Sequence, residues 1–476
     1  MSHQTYPEPP GWQIDPDGTA PARPHVDEVH RGQLRIALRL ADEHAGRLLF
    51  VAGIGWHEWT GTRWERDEKN RVTLAVQATL KNALIEAADM SSDDRKVLHA
   101  DVRKCESKTG VDGVLWLASA MPQFAVTARE LDADPYTLNT ATGTLDLRSG
   151  ALRPHDPAEH ITKVCGTGYD VTATAASWEA FLEASIPDPE VRAFLRRLIG
   201  LALVGKVVEH VLPIFTGTGR NGKGVFARAI ALALGDYTIE AEPELLLASK
   251  YGAHPTGQLD LRGARLATVQ ETDQGRELAV GTVKRLTGGD PIRARAMRQD
   301  YVQFDPSHLV ILTTNHLPAV PADDPALWSR LLVVPWDVSF AGREDTGLTD
   351  RLALELPGIL RWAVAGYEEY TRIGLSPPEA VKVATDGYRA TADDLARFLE
   401  EECLTGPHWS VRRGELWEAW TAWCRSAHVE SGRQPDFTKA LEQRGFTQGA
   451  TRGQKLWRGV ALQGEDESAG QDRYGD

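Results

Sequence analysis

Apolar residues recur along this chain in two rhythms, and the switches between them lay out most of its elements. The sharpest switch falls at residues 211–228, V-L-P-I-F-T-G-T-G-R-N-G-K-G-V-F-A-R, where an apolar run gives way to glycines and then to helical spacing. That order predicts a strand, a turn and a helix. Three further apolar runs, at 265–269, 309–314 and 331–336, join 211–215 as candidate strands and alternate with helical segments, as a parallel sheet with crossover helices requires.

Upstream, helical spacing covers 33–44, and G-W-H-E-W-T-G-T-R-W then sets Trp56, Trp59 and Trp64 around a Thr60-Gly61 turn, which predicts a hairpin. Three tryptophans could stack on bases, but aromatic packing that pins the hairpin is the commoner use. Residues 72–118 are mostly helical in spacing, and 136–154 reads as a second hairpin with Gly143 and Gly150 beside T-L-D-L-R-S. Asp132 and Asp134 form an isolated D-x-D that reads as surface. A helical block at 177–208 follows, with Asp188-Pro189 as a start signal and Leu195, Leu198, Ile199 and Ala202 on one face. The last patterned stretch has three helical segments, one with Trp417, Trp420 and Trp423 at core spacing, and a tail of alternating residues with Gly449, Gly453 and Gly459.

The predicted organisation is a disordered proline-bearing leader (1–28), an N-terminal region of helices and short hairpins (29–170) and a helical segment (171–210). A central α/β core (211–340), a helical linker (341–392), a winged-helix-like DNA-binding domain (393–463) and a disordered polar tail (464–476) complete it.

Composition narrows the class. The 476 residues suit about three domains. No apolar run approaches the ~18 residues that cross a bilayer, and the amino terminus lacks a basic segment and an apolar core, so a cytoplasmic protein without a membrane role is expected. Cys105, Cys165, Cys403 and Cys424 are far apart and read as reduced. A net charge of -14 argues against a surface that coats DNA indiscriminately, so any nucleic-acid contact must be local. Residues 411–458 carry nine Lys or Arg against five acids, and 284–298 carry five against one, which makes the latter the better candidate for gripping a phosphate backbone.

The candidate chemistry begins at the glycine-rich turn. Gly217, Thr218, Gly219, Arg220, Asn221, Gly222 and Lys223 form G-x-x-x-x-G-K, whose backbone N–H groups can cradle phosphates while the lysine reaches the outer ones. A chance glycine-rich turn is the plain alternative. Where a hydroxyl usually helps to hold Mg2+, this chain has Gly224, so metal binding must rest on phosphate oxygens, water and an acid elsewhere. R-L-A-T-V-Q-E-T-D supplies that acid in Glu271, placed to polarise a water, with Gln270 beside it; a strand ending in a solvated Glu is the plain alternative. L-V-I-L-T-T-N ends in Asn315, an amide placed to sense a terminal phosphate, and A-L-W-S-R-L puts Arg330 before the last strand.

Taken together, G-T-G-R-N-G-K-G, Q-E-T-D, L-T-G-G-D-P-I-R-A-R, T-T-N-H-L-P and W-S-R-L resemble the superfamily 3 helicase domain of phage, plasmid and large DNA virus primase-helicases. Looser likeness extends over about 45–460. The resemblance implies an AAA+-like P-loop NTPase fold in a ring, a homo-hexamer, that hydrolyses ATP with Mg2+ between subunits and moves along single-stranded DNA. By position it implies that Lys223 contacts phosphates, Glu271 activates water and serves the metal, Asn315 senses and Arg330 acts on a neighbour's nucleotide. It places Arg298 near DNA, and the local charge adds Lys284, Arg293 and Arg295 as candidate DNA contacts. The polymerase-type domain that often precedes such helicases has no room here, which implies a separate primase or polymerase as partner. The expected protein is a replicative helicase of a phage, prophage or plasmid in a bacterial host cell; an ATP-assembled DNA-binding initiator and a primase-helicase with priming activity are the other readings.

Overall fold

The computed structural model describes residues 30–248, 255–271, 273, 275–294, 301–427, 429, 431–451 and 453–463. The leader expected at 1–28 and the tail expected at 464–476 lie outside them.

The chain opens with α1 (Gly32–His44), β1 (Leu48–Val51), β2 (Gly55–Trp59), β3 (Trp64–Arg66), α2 (Arg71–Glu86), α3 (Ser92–Cys105), α4 (Lys108–Ala118) and β4 (Ala125–Val126). Next come β5 (Thr137–Thr140), β6 (Gly143–Asp146), β7 (Leu152–Arg153), α5 (Ala176–Ser185) and α6 (Pro189–Ala202). The central stretch holds β8 (Leu212–Thr216), α7 (Lys223–Leu234), β9 (Thr238–Ala241), α8 (Pro255–Leu259), β10 (Leu266–Glu271) and α9 (Val280–Gly288). It continues through β11 (Ile292–Ala294), β12 (Val302–Phe304), β13 (Leu309–Thr314), α10 (Pro325–Trp328) and β14 (Leu331–Pro335). The last part is α11 (Leu348–Leu354), α12 (Leu356–Ile373), α13 (Glu379–Ala392), α14 (Asp394–Glu402), β15 (Cys403–Arg412), α15 (Arg413–Ala427), α16 (Gln434–Gln443), β16 (Thr447–Thr451) and β17 (Gln454–Leu462). The described residues fall into two compact units, one from those within 30–134, 152–164 and 301–304, the other from those within 135–151, 165–294 and 305–463.

In the first unit α1 to α4 bury Ile36, Leu40, Val76, Leu80, Leu98, Val102 and Val114 in one core. Serines start two of these helices: Ser91 Oγ accepts the Asp94 amide and Ser107 Oγ accepts the Gly110 amide, each satisfying a first-turn donor. The sheet order is β3-β2-β1-β4. The three hairpin tryptophans are packed: Trp56 lies edge-on to Phe50 and Phe124 at 5.2 and 5.5 Å, and Trp59 meets Trp64 at 5.6 Å. Asp132 is equally structural, since its carboxylate accepts the Thr162 amide at 2.8 Å and the Thr162 hydroxyl at 2.6 Å.

The second unit is built on a five-stranded sheet of order β14-β8-β13-β10-β9, in which all neighbouring pairs run parallel. Four of these strands sit within two residues of the expected runs; the fifth, β9, was not anticipated. The helix α6 begins where expected, with Asp188 accepting the Glu190 amide and Pro189 in the first turn. It crosses α12 so closely that a Cβ on Gly200 would lie 2.1 Å from the Tyr367 amide nitrogen, and one on Gly366 would also strike the backbone, at the Arg196 carbonyl. The hairpin β5-β6 belongs to this unit. Its carboxy-terminal part has a core of its own, where Trp420 stacks on Trp423 at 5.5 Å beside Phe398, Phe437 and Trp457. Three helices there accompany a sheet of order β15-β17-β16.

Candidate nucleotide site

The glycine-rich turn between β8 and α7 is tightly curled. Gly222, with φ of 92°, holds the position before the first helical residue, where a side chain would be strained and would press on Phe181 and Ser185. At Gly217 the constraint is space, because a Cβ would lie 2.3 Å from the Trp336 carbonyl oxygen. Asn221, buried, donates from Nδ2 to that same carbonyl at 3.0 Å and so ties the turn to the end of β14. Lys223 opens α7 with its side chain folded back over the turn: Nζ donates to the Gly217 carbonyl at 2.8 Å and to Asn315 Oδ1 at 3.3 Å. Burial without an acidic partner pushes its ammonium down to about 8.

Strand register brings the remaining candidates to this edge. Thr216 pairs with Thr314, and Thr314 with Glu271, so β8, β13 and β10 end in one row. The turn, Asn315 and Glu271 therefore share the carboxyl ends of the parallel strands, the side on which open α/β sheets bind ligands. At ~4.8 Å per strand spacing, Glu271 stands roughly 10 Å from the start of the turn, which leaves room for phosphates and a water between them. The Glu271 side chain is 7% exposed; Oε1 accepts the Asp273 amide at 2.8 Å, and Oε2 lies 3.6 Å from Arg276 Nη1. Arg276, which no sequence motif marks, also reaches Glu244 at 3.4 Å.

Beside the turn lies a cavity of 560 Å³ whose wall includes Phe181, Val225, Phe340 and Leu348. Its mouth is charged: Arg220 Nη1 meets Glu344 Oε1 at 3.1 Å, and Arg351 pairs with Asp345. An apolar slot with a polar rim, opening next to the glycine-rich turn, has the chemistry to take a planar ring and a sugar. Nothing in the sequence signals it, because its wall comes from 177–184, 220–225 and 340–351.

The other expected residues are placed differently. Arg330 sits at the amino end of β14, five residues from the end that faces the turn, or roughly 16 Å along the strand. Its Nη1 donates to the Ala326 carbonyl. It does not join the site of its own chain. Lys284 is on α9, and its ammonium, on a side chain about one third exposed, is 2.6 Å from Asp324 Oδ2 in an ion pair. Arg293 lies on β11 with its side chain outward between buried Ile292 and Ala294. Arg295 and Arg298 lie outside the described residues.

Residues 37–186 match the family described as D5 N terminal like, and 215–330 match a family of unknown function. A protein of Acanthamoeba polyphaga mimivirus named "Putative helicase" is 24% identical over 384 residues, 72% of this chain and 40% of that protein. One with the same designation from Invertebrate iridescent virus 3 is 26% identical over 66% of this chain and 38% of its own length. A "Putative primase" of African swine fever virus is 22% identical over 58% and 32% respectively. Over these residues the chain is similar to D5-like proteins and to viral proteins named as helicases or primases. It spans 40% or less of the length of these three relatives. Among solved structures, the apo C-terminal region of NrS-1 aligns with 91% of this chain and 100% of its own at 9% identity, with a TM-score of 0.47.

The D5-like match covers α1 to α5 and the second match runs from β8 to Arg330, so the row of Lys223, Asn315 and Glu271 falls wholly inside the latter. No described helix is long and apolar enough to cross a membrane. No group of three or more His, Cys, Asp or Glu able to hold a metal occurs among the described residues.

Proposed function

We propose that this chain is an ATP-dependent replicative DNA helicase of a phage, prophage or plasmid, working as a ring on single-stranded DNA. The observation that carries the reading is the convergence of Lys223, Asn315 and Glu271 at the carboxyl edge of the parallel sheet, around a P-loop-like turn. In this reading the turn's amides and Lys223 bind the phosphates, and Asn315 releases Lys223 and reads the terminal phosphate. Glu271 orients and deprotonates the attacking water, while the 560 Å³ cavity takes base and ribose. Arg330, remote from its own site, serves a neighbour's and makes the ring the active unit.

The donor set suits Mg2+ that travels with the nucleotide. Glu271 is the carboxylate of the row, Gln270 adds an amide, and no dedicated cage is present among the described residues, whereas Mg2+ commonly keeps several waters and binds phosphate oxygens. Bound there, the ion would neutralise phosphate charge. Arg293, Arg295 and Arg298 are the proposed DNA contacts of the core, and α14, β15, α15, α16 and the β16-β17 hairpin form a winged-helix-like module that offers a second one. A separate primase or polymerase would supply primers.

One observation favours a second reading: Gly224 removes the hydroxyl that usually touches the metal, which would suit a protein that binds ATP to assemble on DNA without unwinding it. Strand displacement on a forked substrate separates the two. ATP-dependent unwinding that Lys223→Ala abolishes is expected; nucleotide binding without Mg2+-dependent turnover or unwinding would overturn the helicase reading and leave the assembly factor.

A further inference from the structure

The ammonium of Lys284 is held in a specific place. Its partner Asp324 uses both carboxylate oxygens: Oδ2 meets Lys284 at 2.6 Å, and Oδ1 accepts the Leu327 amide at 3.0 Å, capping α10. Both side chains are about one third exposed or less, so the charge-assisted bond is shielded from the screening that weakens open surface pairs. The ammonium in turn holds the Asp324 carboxyl below the usual carboxylate range. From α10 the path to Arg330 is short, because the Arg330 amide donates to the Leu327 carbonyl at 2.9 Å and its guanidinium donates to the Ala326 carbonyl. Whatever shifts Asp324 therefore shifts the turn that aims Arg330.

At its other end Lys284 belongs to α9, whose Val283, Leu286 and Thr287 are buried in the unit and whose last residue, Gly288, leads through Gly289 into β11 and Arg293. Resting on the helicase reading above, we infer that Lys284 and Asp324 are positioning residues that join the DNA-contacting side of α9 and β11 to Arg330. DNA bound beside Arg293 thereby changes how fast Arg330 promotes hydrolysis at the neighbouring site. A carboxylate engaged on two sides suits this role, since a displacement of α9 cannot be absorbed by one bond without altering the cap of α10.

The test uses the full chain with an oligo-dT strand, measuring ATPase with and without DNA, DNA affinity at several salt concentrations, and melting temperature. The variants are Lys284→Glu, Asp324→Lys, the two combined, and Asp324→Asn, which keeps a good helix cap while losing the charge. Each single substitution should lower the ratio of DNA-stimulated to basal turnover by about fivefold or more, with little change in DNA affinity or its salt slope, and the swapped pair should recover much of the ratio. If Lys284→Glu instead weakens DNA binding and lowers the salt slope by about one while Asp324→Asn leaves binding and stimulation intact, Lys284 is a DNA contact and the inference fails. If the swap restores melting temperature without restoring stimulation, the pair is a stability element only, and the inference fails again. A wild-type protein that hydrolyses no ATP would count against the helicase reading itself, and this inference would fall with it.

Discussion

Gly224 is the residue at which the loop departs from the usual pattern, and its surroundings decide what a side chain there would do. A Cβ at Gly224 meets nothing within 4 Å, and its φ is not positive. Gly224→Ser should therefore fold normally, gain up to ~0.5 kcal/mol from better helix propensity, and lower the Mg2+ needed for half-maximal ATPase. A Mg2+ titration checks this, and an unchanged requirement would place the hydroxyl out of reach of the metal. The neighbouring Lys223 makes a second prediction. Its free ammonium is depressed to about 8, so at pH 8–9 a sizeable fraction is neutral, whereas phosphates favour the charged form. Nucleotide binding should take up a proton in that window and little at pH 6.5, and affinity should fall as pH rises through 8. Calorimetry in buffers of different ionisation enthalpy reads the uptake directly; equal proton exchange at both pH values would mean that Lys223 is not the phosphate ligand.

At the scale of elements, the sequence made strands legible where burial was complete and obscured them elsewhere. The runs behind β8, β10, β13 and β14 are nearly continuous apolar stretches, the signature of strands covered on both faces. β9, T-I-E-A, is a half-exposed edge strand with no such run. β15 was missed because Gly406-Pro407 interrupts it, and its register against β17 shifts between Thr405 and Ser410. Helix starts were readable from Asp188-Pro189, but the closeness of α6 to α12 was not, because a glycine in a helical pattern shows no partner. That crossing can be tested. Gly366→Ala would force its methyl into the Arg196 carbonyl, so the two helices must part or the backbone must bend. The usual cost of overpacking is about 1–3 kcal/mol, and backbone against backbone belongs at the upper end. Urea denaturation should show that loss, whereas Gly387→Ala, on α13 with open space around it, should be neutral or stabilising.

At the scale of the whole molecule, the row of Lys223, Asn315 and Glu271 could be foreseen because each ends or follows a strand, and parallel neighbours must end on the same side. The same order along the chain places Arg330. It precedes a strand, so the logic that gathers the other three at the carboxyl edge sends it to the amino edge, and no rearrangement of one subunit short of unfolding β14 would bring it to its own Lys223. A neighbour-serving role makes a prediction that a single-chain site cannot mimic. Arg330→Ala and Glu271→Gln should each bind nucleotide and each fail to hydrolyse it, the first for want of charge to offset the transition state and the second for want of a base. Mixed in equal amounts, some interfaces pair an intact Glu271 and Lys223 with an intact Arg330 from the next subunit, and turnover should return to a measurable fraction of wild type. Random mixing sets the expectation, because the working interface needs one subunit of each kind in the right order. Mixed assemblies verified by native mass spectrometry that remain inactive would show that Arg330 is not shared between subunits, and its guanidinium, already turned onto the Ala326 carbonyl, would then be a local structural tie.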